Sequence, residues 1–108
     1  MINDEKRTLI TRWRLSSHPL YIETGRYKTP IVPRENRLCM VCNVVEDEYH
    51  ALFTCTAHCF IRLRFQEICS KYTTVVKMFN PATEEDITTI AKYIREIEKN
   101  MEKLKLTR

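Results

Sequence analysis

Three cysteines and a histidine stand at Cys39, Cys42, His50 and Cys55, a C-x2-C-x7-H-x4-C spacing within 108 residues. No other feature limits the fold so strongly. A chain of this length buries only about two-thirds of the surface its unfolded form exposes, so its stability margin from apolar packing is thin. A structural zinc ion takes four nitrogen or sulfur ligands in a tetrahedron, and two cysteines separated by two residues can grip it from one backbone turn. Cys39 and Cys42 have that spacing. Asn43 follows directly, where such a turn calls for a left-handed residue, and asparagine tolerates that conformation better than most.

The second pair of ligands can be assigned in two ways. His50 and Cys55 complete a site of three cysteines and one histidine; this is the preferred assignment. Alternatively Cys55 and Cys59, one helical turn apart, complete an all-cysteine site, with His58 a weaker candidate. His50 and Cys55 are five residues apart, about 140° on an α-helical wheel, so both can face one ion only if the helix loosens near Thr54. The competing view is that the five cysteines are small buried apolar side chains, as free cysteines often are. Their clustering argues against this for all but Cys69, which borders an apolar stripe beside Ile68. Four protein ligands close the coordination shell, so the ion is expected to be structural. Zinc with three thiolates carries a net charge of −1, which Arg34 and Arg37 are near enough in sequence to offset.

The single glycine, Gly25, excludes a Walker loop, a dinucleotide-binding fingerprint and an arginine-glycine tail, each of which needs several. No acyl- or phosphoryl-transfer constellation surrounds the cysteines and histidines, so no enzyme is expected, and no small-molecule substrate. The net charge is +4 and uneven: residues 1–38 hold eight cations against four anions, and the remainder balances. Arg7, Arg12, Arg14, Arg26, Lys28, Arg34 and Arg37 are therefore candidate phosphate contacts, with Trp13, Tyr21 or Tyr27 as stacking surfaces. Core packing is the competing role for Trp13, because it shares a helix face with Leu9 and Ile10. No apolar run approaches the roughly 20 residues that span a bilayer, and "MINDEKRTLI" has no secretory features. The expected location is intracellular, nucleus or cytoplasm, where cysteine-rich chains favour metal over disulfides.

The fold expected is mainly α, a single domain over 1–108 of about four helices organised around one zinc knuckle. A basic helix and connector occupy 1–38, the zinc-binding segment 39–59 and a helical part 60–108. The first helix runs from about Asn3 to Ser16, with a short turn near Leu20 to Thr24. A second begins around Glu46 to Asp47. A third, from about Ala57 to Tyr72, has one stripe of Ala57, Ile61, Phe65, Ile68 and Tyr72. The last and longest starts near Thr83, three residues before Asp86, and turns Ile87, Ile90, Ala91, Ile94, Ile97, Met101 and Leu104 to one side. Lys92, Arg95, Lys99 and Lys103 line its other side.

The phrases "LITRWRLSSHPLYIETGRY", "IVPRENRLCMVC" and "EDEYHALFTC", with the helix "FIRLRF", resemble the zinc-binding segment that follows the polymerase domain in reverse transcriptases of non-long-terminal-repeat retrotransposons. The resemblance covers about Leu9 to Ile94. It implies a zinc-stabilised module with Cys39, Cys42, His50 and Cys55 as ligands, binding RNA or DNA and accessory to a polymerase. His58 and Cys59 stand where that family usually has a proline and ordinary helix residues. No acidic polymerase signature is present, so a detached or domesticated version is implied. The alternative is a protein-interaction or self-association module, a homodimer in its simplest form, using the C-terminal helix or the face bearing Cys59 and Leu63.

Overall fold

A computed structural model of the chain describes residues 4–15, 20 and 30–106. Its helices are α1 (Asp4–Arg14), α2 (Cys59–Arg64), α3 (Gln66–Lys71), α4 (Val75–Met78) and α5 (Glu84–Leu106). Among the described residues there is no strand, only an isolated antiparallel bridge between Leu38 and Val45. The protein is mainly helical, as its periodicity predicts.

Helix α5 is the spine. At 23 residues it is about 34 Å long, and its Ile90, Ala91, Ile94, Ile97 and Met101 are buried in the protein's own core. The expected start is observed: the Thr83 hydroxyl accepts the Asp86 N–H at 3.1 Å, and Glu84, Glu85 and Asp86 oppose the positive end of the helix dipole. Asp86 also accepts Tyr72 Oη–H at 2.6 Å and pairs with Lys71 Nζ at 2.7 Å. The Lys71 ammonium, then the Tyr72 hydroxyl, hold its carboxyl below the usual carboxylate range.

Helix α1 packs along α5 through Leu9, Ile10 and Trp13, all buried. The Trp13 ring meets Phe79 edge-on at 6.4 Å, and its Nε1–H donates to Glu98 at 3.4 Å. Glu98 is a buried acid that α5's periodicity does not reveal. It is tolerated because Arg12 at 3.7 Å and Arg95 at 4.0 Å answer its charge.

Two expected helices need new bounds, and one short helix was not expected. The single helix from Ala57 to Tyr72 is instead a 3-10 turn at Thr56–His58, then α2 and α3 broken at Phe65, whose φ of −112° and ψ of 24° leave the helical region. The Phe65 N–H is shared between the carbonyls of Ile61 and Arg62, which tightens the turn, and its ring packs on Tyr93 at 5.3 Å. The connector before α5 folds as α4, capped by the Thr74 hydroxyl accepting from the Lys77 N–H at 3.1 Å, and it buries Met78 and Phe79. The first helix ends at Arg14 rather than Ser16. The Asn3 cap and the turn after Leu20 lie outside the described residues.

Candidate metal centre

The knuckle forms where the sequence puts it. The Cys39 N–H donates to the Val44 carbonyl at 2.7 Å, and the Asn43 N–H returns to the Cys39 carbonyl at 2.8 Å. Asn43 has φ of 59°, the left-handed conformation its position predicts. This turn points Cys39 and Cys42 to one side. The segment opposite starts at Asp47, whose carboxylate accepts the His50 N–H at 2.9 Å as a helix cap.

The loosening required between His50 and Cys55 is a π-helical turn over His50–Thr54. It is closed by the Cys55 N–H donating to the His50 carbonyl at 2.7 Å. A ring closed five residues apart aligns positions that an α-helix would splay by about 140°. Cys55 itself then turns extended, with ψ of 125°, and aims its sulfur back at the knuckle. The ligand atoms of Cys39, Cys42, His50 and Cys55 all lie within 4.8 Å of one another, close enough to hold a metal ion. The Cys39–Cys55 and Cys42–Cys55 sulfur separations are 3.8 and 3.9 Å, far longer than the roughly 2.05 Å of a disulfide.

The histidine is prepared as a ligand. The Thr54 hydroxyl donates to the His50 carbonyl at 3.3 Å, so it accepts from His50 Nδ1–H at 2.9 Å. That bond fixes the tautomer and leaves the Nε2 lone pair unprotonated. Nε2 is buried with no hydrogen-bond partner among the described residues. A buried polar atom of this kind is costly unless something else binds it. Burial lowers the His50 pKa, which keeps the ring neutral.

Each cysteine has a different setting. Cys42 is half-buried and sits 3.3 Å from the Thr56 hydroxyl, and it accepts the Thr56 N–H at 3.4 Å. The Thr56 hydroxyl bond, the largest influence, lowers its thiol pKa. Cys55 is 2% exposed, and burial pushes its thiol up to about 12. Its carbonyl is clamped by Arg62, whose Nη1 and Nη2 donate at 2.9 and 2.6 Å. Sequence reasoning missed this residue: Arg34 is exposed and Arg37 Nε turns to the Val32 carbonyl at 2.9 Å. No spacing signal was available, because Cys55 is extended and a 3-10 turn separates it from the helix that bears Arg62.

Neither alternative ligand belongs to this group, although His58 lines the cavity beside it. Cys59 is exposed at the start of α2. His58 is buried, with Nδ1 2.9 Å from Asn100 Nδ2, and burial brings its pKa down to about 4. Asn100 also donates to the Ala57 carbonyl at 2.9 Å, and Tyr93 Oη–H donates to the Leu52 carbonyl. Helix α5 thus holds the backbone on both sides of Cys55.

The basic residues are dispersed. Arg12 faces Glu98, and Arg7 forms a largely exposed pair with Glu84 at 3.6 Å. Arg7 and Arg14 flank a groove floored by Ile10 and Phe79. Arg26 and Lys28, like Tyr21 and Tyr27, lie outside the described residues. Trp13 is fully buried and offers no stacking surface. No helix among the described residues is long and apolar enough to cross a membrane.

No family model, curated protein or solved structure matches this chain.

Proposed function

We propose that the protein is a non-catalytic zinc module that binds RNA or DNA. The observation that carries this reading is the four-ligand cluster, with His50 Nε2 buried and unpaired beside three thiols. Zinc–sulfur bonds of about 2.3 Å in a tetrahedron give sulfur separations of about 3.8 Å, and the two separations here are 3.8 and 3.9 Å. The soft thiolate set with one imidazole favours zinc over harder divalent cations. Four protein ligands leave no open position for a reacting water, and the adjoining cavity, about 20 Å³, admits little more than one water molecule. A structural role follows.

The nucleic-acid part rests on the basic N-terminal third, residues 1–38, with Arg7, Arg14 and Arg34 exposed, and on the retrotransposon resemblance. Neutralising about four phosphates gives a log-log salt slope of roughly −3 for single strands. Fluorescence anisotropy with a labelled oligonucleotide across a salt series measures this slope; a flat response removes the nucleic-acid reading and leaves the metal centre standing.

One observation favours self-association as a second reading. Phe60 and Leu63 are 80% and 63% exposed, beside exposed Cys59. Light scattering separates the readings: a monomer that binds RNA fits the first, a dimer indifferent to RNA the second.

A further inference from the structure

A groove of about 320 Å³ runs between α1 and α5 on the side of α1 away from Arg7 and Arg14. We propose that it seats a single strand of nucleic acid, phosphates along Lys92, Arg95 and Lys99 and one base against Phe65. This rests on the nucleic-acid reading above and adds to it a location and a strand form.

Positions 92, 95 and 99 are i, i+3 and i+7 on α5, so their side chains form one row along the groove. All three are exposed. Among the described residues neither Lys92 nor Lys99 makes an ion pair, and Arg95 meets Glu98 only at 4.0 Å. Lys6 adds a fourth cation from α1. Two acids share the groove: Glu96 is answered by Arg64 at 3.0 Å, while Glu5 stands on α1. The balance stays positive.

The floor is apolar, made by Leu9, Ala91 and Phe65. Phe65 is half-buried: it packs against the core and still lines the groove. One side rests on Tyr93, and the Arg64 guanidinium lies 5.9 Å from the ring centroid. A track of cations beside a partly exposed aromatic is the pattern that binds single strands without sequence preference: charge follows the phosphates and the ring stacks a base. An acidic peptide would use the cations but has no call on the ring.

The test uses the full zinc-loaded chain and a labelled oligouridine, with anisotropy read across a salt series. The double variant Lys92→Ala/Lys99→Ala is expected to make the log-log slope shallower by about 1.4, from about 0.7 per phosphate lost. Phe65→Leu, which keeps the apolar volume, is expected to weaken binding about tenfold at unchanged slope, as loss of one stacked base does. Lys77→Ala, outside the groove, is the control for general charge loss.

If oligouridine binds and the slope responds to Arg7→Ala/Arg14→Ala but not to Lys92→Ala/Lys99→Ala, this groove is the wrong one while the nucleic-acid reading survives. If wild type fails to bind, both fall. If polyglutamate displaces the oligouridine equally well and Phe65→Leu has no effect, the groove takes acidic protein and the assignment is overturned.

Discussion

Two hydrogen bonds at Thr54 decide which nitrogen of His50 is available. A threonine hydroxyl has one proton; given to the His50 carbonyl, it leaves the oxygen to accept from Nδ1–H and directs the Nε2 lone pair toward the thiols. His50→Ala is therefore expected to abolish stoichiometric zinc binding, while Cys59→Ser retains it, as read by native mass spectrometry. Thr54→Val should keep the stoichiometry and weaken affinity by about 10- to 100-fold, the usual effect of losing a partner behind a ligand, measured by competition with a chromophoric chelator. Zinc retained by His50→Ala and lost from Cys59→Ser would reverse the assignment. Arg62 belongs to the same scale. It lies in the helical phrase "FIRLRF", but only the three-dimensional path of Cys55 brings the carbonyl within its reach.

At the scale of elements, what the sequence reveals depends on how long a pattern runs. Helices α1 and α5 have apolar residues recurring over several turns, and both stand close to where that recurrence puts them. The gathering of Cys39, Cys42, His50 and Cys55 into one cluster was equally legible, because the chemistry of a metal site calls for those residue types and the knuckle for that spacing. Helix α4 has four residues, too few for any period to register. The break at Phe65 was hidden for the opposite reason: the apolar stripe continues across it, and no glycine or proline marks it. Tyr93 and Glu98 escaped notice because a phenol and a carboxylate on a helix read as exposed unless their partners, here the Leu52 carbonyl and Trp13, are known. The start of α5 gives a pH test. Asp86 has a lowered pKa in the folded state, so its contribution is present above the unfolded value of about 3.9 and is lost as pH falls through the lower folded value. Asp86→Asn should cost about 1 kcal/mol near neutral pH, typical of losing an acid from the first turn of a helix. In thermal melts the gap to wild type should hold down to about pH 5 and close below about pH 4; a gap unchanged at pH 3 would show that the charge does not matter.

The whole molecule is joined at two places, the α1–α5 core and the metal centre, and they are not independent. Tyr93 and Asn100 project from α5 onto Leu52 and Ala57, the backbone flanking Cys55, so the knuckle and the core share one set of contacts. Without an ion the cluster is unfavourable in itself: Nε2 of His50 is buried without a partner among the described residues, and the Cys55 thiol is held protonated by burial. On the zinc reading proposed above, binding the ion would displace those protons and satisfy the nitrogen, so that metal affinity would be part of the folding free energy and would rise with pH. Structural zinc can supply on the order of 10 kcal/mol, comparable to the entire stability of about 5–15 kcal/mol expected for a domain. Removing the ion with excess chelator under reducing conditions should therefore abolish the cooperative melt seen by circular dichroism, and restoring zinc should recover it with proton release detectable in weak buffer. Because the backbone beside Cys55 is bonded to α5, the loss should extend to amide protection in the middle of that helix. A chelated chain that melts at the wild-type temperature, with α5 still protected, would mean that the helices stand without the ion and that the centre has some other purpose.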